Sequence, residues 1–354
     1  MPGMNPAAEH FIYAPEVNYG TFVAPTKALP VISFNLESDR PIITPVVTGQ
    51  YRGQLFQIPG EKPVAGQLVT YAWPNNLITL IKTFMTRCTS TLVGAATTYR
   101  HKFTFDDAAA LGSFSAEAQY GTDKAHFGKG LRIVSLGISC RSKEPVQLTF
   151  GLVGQDEAWN GGNWEDAAGS AAPASPTTPV PYAASIGLPF IYYQGALLLG
   201  GTVSEVTGEL IVAGGVAQAW VEACEITIEL PSEQVYPIQA SPTAQALREG
   251  ERNVKVKMDL DWVGDAAARA LAARANTETV LALNFTGATC EAPATKYEMD
   301  IVVPRLVPLP GETKATVLSG DKKRRVAAAG FKGLIHATTT RDFGLAIQTT
   351  EAAP

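Results

Sequence analysis

Apolar and polar residues alternate along much of the chain from about residue 100 onward, and this pattern predicts half-buried β-strands. The clearest run spans residues 254–262, where apolar positions alternate with two lysines and two aspartates. Residues 114–120, 134–140, 146–152 and 224–230 follow the same rule. Each predicted strand therefore has one face suited to a core and one face suited to water or a partner.

Helical spacing of apolar residues occurs in two places only. Residues 77–88 show it after Asn75 and Asn76, and an alanine-rich run covers residues 266–275 after Asp265. An Asn or Asp directly before a helix is a favourable N-cap, because its side chain accepts a bond from a free backbone N–H. The predicted fold is therefore mainly β, sandwich-like or barrel-like, with two short helices.

The two predicted helices suggest an internal repeat. At an offset of about 190 to 196 residues, Pro41 aligns with Pro237, residues 61–64 align with 251–254, and the two helices coincide. The identity is low, and turn residues and alternating strands also align by chance, so an unduplicated chain stays open as the alternative. A duplicated chain would contain two related β units, each with one short flanking helix.

The pattern predicts five segments. They are an N-terminal arm (1–30), a first β unit (31–155), a long loop with a connecting hairpin (156–222), a second β unit (223–337) and a C-terminal tail (338–354). Within the third segment, residues 160–187 are rich in small residues and proline, which predicts an exposed loop. Arms and exposed loops are the parts of a compact β protein that reach neighbouring molecules.

The charge balance excludes strong general binding of a polyanion. The chain has 354 residues, with 28 Lys and Arg against 33 Asp and Glu and a net charge of -5. No apolar run approaches the ~18–20 residues that a bilayer span needs, and no leader-like segment opens the chain, so we expect synthesis in the cytosol and no membrane partner. The four cysteines are far apart, which favours buried apolar roles over a zinc site or disulfides.

Motifs that would indicate catalysis are missing from the sequence. It has no nucleophile elbow, no phosphate-binding loop and no pair of histidines at metal-ligand spacing, so we expect no catalytic residue, cofactor or metal. The carboxylate pairs Asp106–Asp107, Asp156–Glu157 and Glu165–Asp166 could act as acid and base or bind calcium, but we favour solvated turns. The basic run 321–325 could contact nucleic acid or an acidic partner, and a solvated hairpin loop is the simpler interpretation.

The order of several short segments resembles the tail tube (major tail) proteins of tailed bacteriophages. These segments are Pro15–Thr21, Leu29–Val31, Tyr51–Gly53, Val64–Leu68, Tyr99–Phe105, Gly112–Glu117 and Phe127–Leu136. The resemblance covers about residues 10–155 well and the remainder only by pattern. The long insert at 160–187 and the duplicated-looking second half differ from a tube protein with a single unit.

This resemblance implies a β-sandwich or barrel-like body with a flanking helix. Copies of such a protein join sheets edge to edge into rings, and the rings stack into a tube through which DNA leaves the capsid without specific binding. Two units per chain would give three chains per ring, and one unit would give six. The implied partners are further copies of the chain and the tape-measure, tail-terminator and tail-tip proteins, and the implied location is the virion tail, assembled in the host cytoplasm.

The resemblance also suggests which surfaces carry the function. A duplex slides freely through a channel that is acidic or short of Lys and Arg. Our candidates for the channel lining are the strand acids Glu225, Glu229, Asp259, Asp261, Glu298 and Asp300. For contacts between rings we expect the arm 1–30 and the loop 160–187, with Tyr19, Thr21, Trp164 and Tyr182 as candidate residues.

Two other classes share these features. A minor tail, tail-completion or capsid-decorating protein would have the same β composition and no catalytic motif. A carbohydrate-binding or carbohydrate-cleaving β module would need aromatic residues along a groove, with a carboxylate pair there for cleavage.

Overall fold

The computed structural model describes thirteen parts of the chain. They are residues 9–44, 57–93, 97–121, 123–165, 169–178, 182, 186–218, 221–237, 241–261, 278–291, 295–309, 314–318 and 325–352. The alanine-rich run 266–275, the segment Tyr51–Gly53 and residues 321–324 of the basic run lie outside the described residues.

The described residues are mainly β-strands, which confirms the predicted fold class. The first half contains β1 (Glu9–Pro15), β2 (Lys27–Leu29), β3 (Ser33–Ser38), β4 (Ile42–Ile43), β5 (Ile58–Pro59), β6 (Val64–Tyr71), α1 (Ile78–Met85), β7 (Arg87–Leu92), β8 (Tyr99–Thr104), β9 (Phe114–Tyr120), β10 (Lys124–Arg141), β11 (Gln147–Gly154) and β12 (Asp156–Trp159). The second half contains β13 (Gly195–Leu199), β14 (Thr202–Val206), β15 (Glu209–Ala213), β16 (Val216–Ala217), β17 (Val221–Glu229), β18 (Ser232–Val235), β19 (Ala246–Glu249), β20 (Asn253–Asp261), β21 (Thr279–Glu291), β22 (Thr295–Pro308), β23 (Lys314–Leu318), β24 (Arg325–Gly333) and β25 (Gly344–Thr349).

The first sheet is an antiparallel ladder of eight strands in the order β3–β6–β11–β10–β17–β20–β24–β23. Its strands alternate as the sequence predicted. On β11, Leu148, Phe150 and Leu152 are buried while Gln147 and Thr149 remain partly exposed. The same holds for the apolar positions of β17 and β20. One face of the first sheet is therefore core, and the opposite face is polar.

A second antiparallel sheet covers the core face of the first. Its order is β16–β13–β21–β22–β25–β8–β7, and the end of β22 also pairs with β24 of the first sheet. Phe103, Phe285, Ile301 and Ile347 from this sheet join Phe150 and its neighbours in one apolar cluster. The two sheets thus form a β-sandwich, in which the burial of large side chains supplies most of the stability.

Helix α1 closes one side of this core with Ile78, Ile81 and Phe84, all of them buried. The helix begins after Leu77, which has no side-chain cap, so the expected cap by Asn75 or Asn76 is wrong. The carboxamide of Asn75 instead accepts a hydrogen bond from the hydroxyl of Thr349 in β25.

A third sheet, β2–β1–β9–β10–β12, shares β10 with the first. The pairing of β10 with β9 shifts register between Gly128 and Leu131, and Gly130 there adopts a φ of 61°, which favours glycine because it has no Cβ. Strand β1 is fully paired, with Phe11 and Tyr13 in the core, so residues 9–15 do not belong to an extended arm.

The C-terminal segment was also expected to be a tail, and the structure contradicts this. Strand β25 lies between β22 and β8, and all six of its residues are buried. A strand that is covered on both faces does not alternate between polar and apolar residues, so the pattern carried no strand signal here.

The pairing order of the first sheet repeats. The series β3–β6–β11–β10 is followed by the series β17–β20–β24–β23, and Val64 opposite Gly154 corresponds to Val254 opposite Gly333. We call these the first and second four-strand groups. After the first strand of each group comes a short hairpin, β4–β5 or β18–β19.

Both hairpins are closed by the same hydrogen bond. The N–H of Gly60 donates to the carbonyl oxygen of Pro41 over 2.8 Å, and the N–H of Gly250 donates to that of Pro231 over 2.7 Å. The structural counterpart of Pro41 is therefore Pro231, and the alignment with Pro237 was wrong.

We expect Phe150→Ala to lower the free energy of unfolding by about 3–5 kcal/mol, because it opens a cavity between the two sheets. Thr149→Ala, on the polar face of the same strand, should change it by less than about 0.5 kcal/mol. Urea unfolding of the two variants measures both values. Equal midpoints would contradict the assignment of the core face.

Candidate functional site

The polar face of the first sheet is a continuous surface that is not used for packing the core. The charged residues that cross-strand register places on this face include Glu37, Arg141, Glu225, Glu229, Lys255, Lys257, Asp259 and Lys332. Arg141 forms an ion pair with Glu225, and the Nζ of Lys255 lies 3.1 Å from Glu229. The described face therefore carries acids and bases side by side.

The six acids proposed for the channel do not share one surface. Glu225, Glu229 and Asp259 lie on the polar face, and Asp261 is the last residue of β20. Glu298 and Asp300 belong to β22 in the second sheet, where Met299 and Ile301 face the core and the two acids point away from it. The core thus separates these two acids from the other candidates, so no single surface can contain all six.

Glu298 and Asp300 hold another element in place. The guanidinium of Arg100 donates hydrogen bonds to both acids and to Glu209 of the hairpin β14–β15. Burial raises the pKa of Asp300, and the bond from Arg100 opposes that rise. Leu210 of the same hairpin packs against the second sheet. The two acids therefore fasten this hairpin to the outside of the sandwich.

The first sheet ends in two strands with an open edge. Within the described residues, β3 pairs only with β6, and β23 pairs only with β24. In the middle of the sheet, by contrast, β10 and β17 pair over seven residues, from Ser135 opposite Glu229 to Arg141 opposite Ala223. The last strand of the first group therefore contacts the first strand of the second group. An unpaired edge exposes backbone N–H and C=O groups that can bind another strand.

The candidate residues for contacts between rings are dispersed. Trp164 is buried against Phe22, under the ammonium group of Lys129. The ring of Tyr19 lies 4.3 Å from the guanidinium of Arg132. Thr21 and Tyr182 are exposed. Only these last two remain available to a partner on a described surface.

The loop 160–187 is less exposed than the sequence predicted. Trp164 and Ala172 are buried, and the hydroxyl of Thr177 donates a hydrogen bond to Glu117 of β9. The described part of the loop therefore packs on the third sheet. A run of small residues and prolines gave no sign of this, because the partner strands lie far away in the chain.

A comparison with models of protein families identifies the family of this chain. The model of the phage tail tube protein family matches residues 8–316, which include the first four-strand group and, of the second, β17, β20 and the start of β23. The chain belongs to the phage tail tube protein family. Its role is therefore that of a structural protein of the phage tail. A search of curated proteins finds no match to the chain.

His126 and the carboxylate pair Asp156–Glu157 of this tail tube protein have structural partners. Asp156 and Glu157, expected in a solvated turn, instead lie in β12, where the Nζ of Lys62 is 2.8 Å from Asp156. The Nε2 of His126 lies 2.6 Å from Glu157, and the His126 ring stacks on Trp159. This cluster ties β12 to the segment before β6. No sequence motif announced it, because its members come from three separate segments.

Two further findings concern metals and membranes. Within the thirteen described parts of the chain, no group of three or more His, Cys, Asp or Glu residues is placed to hold a metal ion. The described part also contains no helix that is long and apolar enough to cross a membrane. The four cysteines are not joined in disulfides, and Cys224 is buried opposite Cys140.

We expect Glu157→Gln to reduce the loss of stability in acid. The hydrogen bond from His126 lowers the pKa of Glu157 from 4.5 to about 2, so the carboxylate stabilises the fold above pH 4.5, and this contribution is lost as the pH falls toward 2. The loss corresponds to roughly 2–3 kcal/mol. Unfolding midpoints between pH 6 and 2 measure it, with the exposed Glu37→Gln as control. Identical acid slopes for Glu157→Gln and the natural chain would contradict the expectation.

We expect Arg100→Met to release the hairpin β14–β15. The substitution leaves Glu209 and Asp300 partly buried without their main cationic partner, which should cost roughly 3 kcal/mol. Limited proteolysis should then cut within residues 202–213 faster than in the natural chain. Arg87→Met is the matched control, since Arg87 is more exposed and lies 4.0 Å from Glu205 of the same hairpin. Equal cleavage of the two variants would overturn the assignment.

Proposed function

We propose that three copies of this tail tube protein join edge to edge into a ring, and that stacked rings form the conduit through which the phage genome leaves the capsid. The single observation that supports this most is the repeated strand order of the first sheet. Two equivalent four-strand groups already meet inside one chain at the β10–β17 junction, and they leave the two outer strands of the series unpaired within the described residues.

The two open edges are complementary by the logic of the repeat. Strand β23 holds the place in the second group that β10 holds in the first, and β3 holds the place of β17. Antiparallel pairing of β23 with β3 of the next copy would therefore repeat between chains what β10 and β17 do within one. Such a contact is heterologous, because it joins two different edges. It forms a closed ring if the rotations between successive copies add up to a full turn.

Three copies supply enough strands to enclose a channel. Each chain contributes eight strands to the first sheet. A barrel of about eight strands is filled by its own side chains, whereas about 16–18 strands leave an aqueous channel. Three chains exceed that number and together supply six four-strand groups, in agreement with an approximate sixfold ring.

The polar face of the first sheet would line the channel. The second sheet covers the opposite face, so closing the first sheet into a ring leaves its polar face on the inside. On this face Arg141 pairs with Glu225, and Lys255 pairs with Glu229. A surface with balanced charges offers no net attraction to phosphates, so DNA would pass without specific binding. Glu225, Glu229 and Asp259 remain our candidates for this lining, and Asp261 remains one from its place in β20 alone.

The remaining parts of the proposal follow from the family. Its partners would be further copies and the tape-measure, tail-terminator and tail-tip proteins, with assembly in the host cytoplasm. The two four-strand groups support two related units in one chain, with the boundaries 31–155 and 223–337 as a working division. Contacts between rings would use exposed residues such as Thr21 and Tyr182.

We expect the purified chain to form rings whose mass in native mass spectrometry equals three copies, and hollow tubes in electron micrographs. Asn35→Pro in β3 should abolish both, because proline disrupts the strand that would pair with the next copy. Thr89→Pro in β7, an edge of the second sheet, is the control and should still give tubes. Both variants should keep the unfolding transition of the monomer. Rings of six copies, or tubes from Asn35→Pro, would contradict the proposal.

A further inference from the structure

The two hairpins that follow the first strand of each group have the same closing bond but different surroundings. Hairpin β18–β19, in the second group, docks on the first group of the same chain. The carboxamide of Gln234 donates to the carbonyl oxygens of Val64 and Gly154 over 3.2 and 2.9 Å, and Glu249 accepts a bond from the N–H of Leu111 over 3.2 Å. This hairpin is therefore seated on the neighbouring group.

Among the described residues, no hydrogen bond joins strands β4 and β5 of the first group to the second four-strand group. The described residues of hairpin β4–β5 expose three isoleucines, with Ile42 61%, Ile43 53% and Ile58 45% accessible. Ile43 lies directly opposite Ile58, so these two exposed side chains share one face of the hairpin, and Ile42 lies on the other face. The hairpin therefore presents the kind of surface that is buried in an interface.

A groove of about 560 Å³ lies at the matching position of the second group. Its lining combines the apolar residues Phe105, Leu230, Leu334 and Ile335 with charged ones such as Arg252 and Asp342. The pair Val254 and Gly333 corresponds to Val64 and Gly154, the residues that receive hairpin β18–β19 in the first group. Ile335 at the rim is 55% exposed. The groove in the second group thus corresponds to the position in the first group that hairpin β18–β19 occupies.

We infer that hairpin β4–β5 of one copy inserts Ile43 and Ile58 into this groove of the adjacent copy. The inference rests on the proposed ring and names a second contact between the same two chains. In the proposed ring, β3 pairs with β23 of the preceding copy, and the groove belongs to the second group of that same copy. Hairpin β4–β5 and strand β3 would therefore both contact the preceding copy. Within the chain, hairpin β18–β19 and strand β17 both contact the first group in the same way.

In this contact each copy gives its hairpin to one neighbour and its groove to the other, so the two surfaces can be altered separately. A hairpin variant, Ile43→Ser with Ile58→Ser, keeps an intact groove, and a groove variant, Ile335→Arg, keeps an intact hairpin. Each alone should need a protein concentration at least about tenfold higher to form rings, because every junction is impaired. An equimolar mixture should contain one intact junction per pair of different copies, so it should form dimers without rings.

Native mass spectrometry of each variant and of the mixture measures these states, and urea unfolding shows whether the monomers remain folded. The controls are Val206→Ser with Ile211→Ser on hairpin β14–β15, and Leu188→Arg, all at exposed apolar positions elsewhere. The controls should form rings like the natural chain. Normal rings from either test variant, or a mixture that stays monomeric, would overturn the inference. If the natural chain itself forms no rings, the proposed function fails and this inference fails with it.

Discussion

The requirement that each β-strand edge find a partner organises this molecule. Backbone N–H and C=O groups that are left open at an edge bind other strands, so a soluble β protein has to cover, shorten or pair its edges. Here the junction of β10 with β17 pairs the inner edges of two equivalent groups within one chain. The outer edges, β3 and β23, keep the same geometry without a partner among the described residues. Each edge strand of this eight-stranded sheet can therefore pair with an edge strand of another copy. A structural protein of the phage tail can use such edges for assembly.

Charged residues serve two different purposes in this fold. The clusters around Arg100 and Lys62 are largely shielded from water, and they fix a peripheral hairpin and strand β12 to the body. A buried charge is costly without its partner, so these clusters specify position more than they add stability. On the polar face of the first sheet, acids and bases neighbour one another in water, and pairs such as Lys255 with Glu229 contribute little to stability. Their main effect is to keep that surface close to neutral.

Local structure repeats more faithfully than its surroundings. The closing bonds from Gly60 to Pro41 and from Gly250 to Pro231 are nearly identical, although one hairpin is seated on the first group and the other exposes its isoleucines. The difference arises because a chain with two groups contains only one junction between them. The same local hydrogen bond therefore occurs once in a hairpin that is docked on its neighbour and once in a hairpin that exposes apolar side chains.

The sequence by itself determined the positions of the strands that have one face exposed to water. Alternation located β17 and β20, the spacing of apolar residues located α1, and Lys255 and Lys257 could have been placed on the polar face by the same rule. Only the tertiary structure decided the positions of β1 and β25, which are covered on both sides, and it moved Glu298 and Asp300 to the outside of the sandwich. The physical reason is that periodicity reports how one strand meets water, whereas the choice of sheet and of partner strand depends on residues hundreds of positions away.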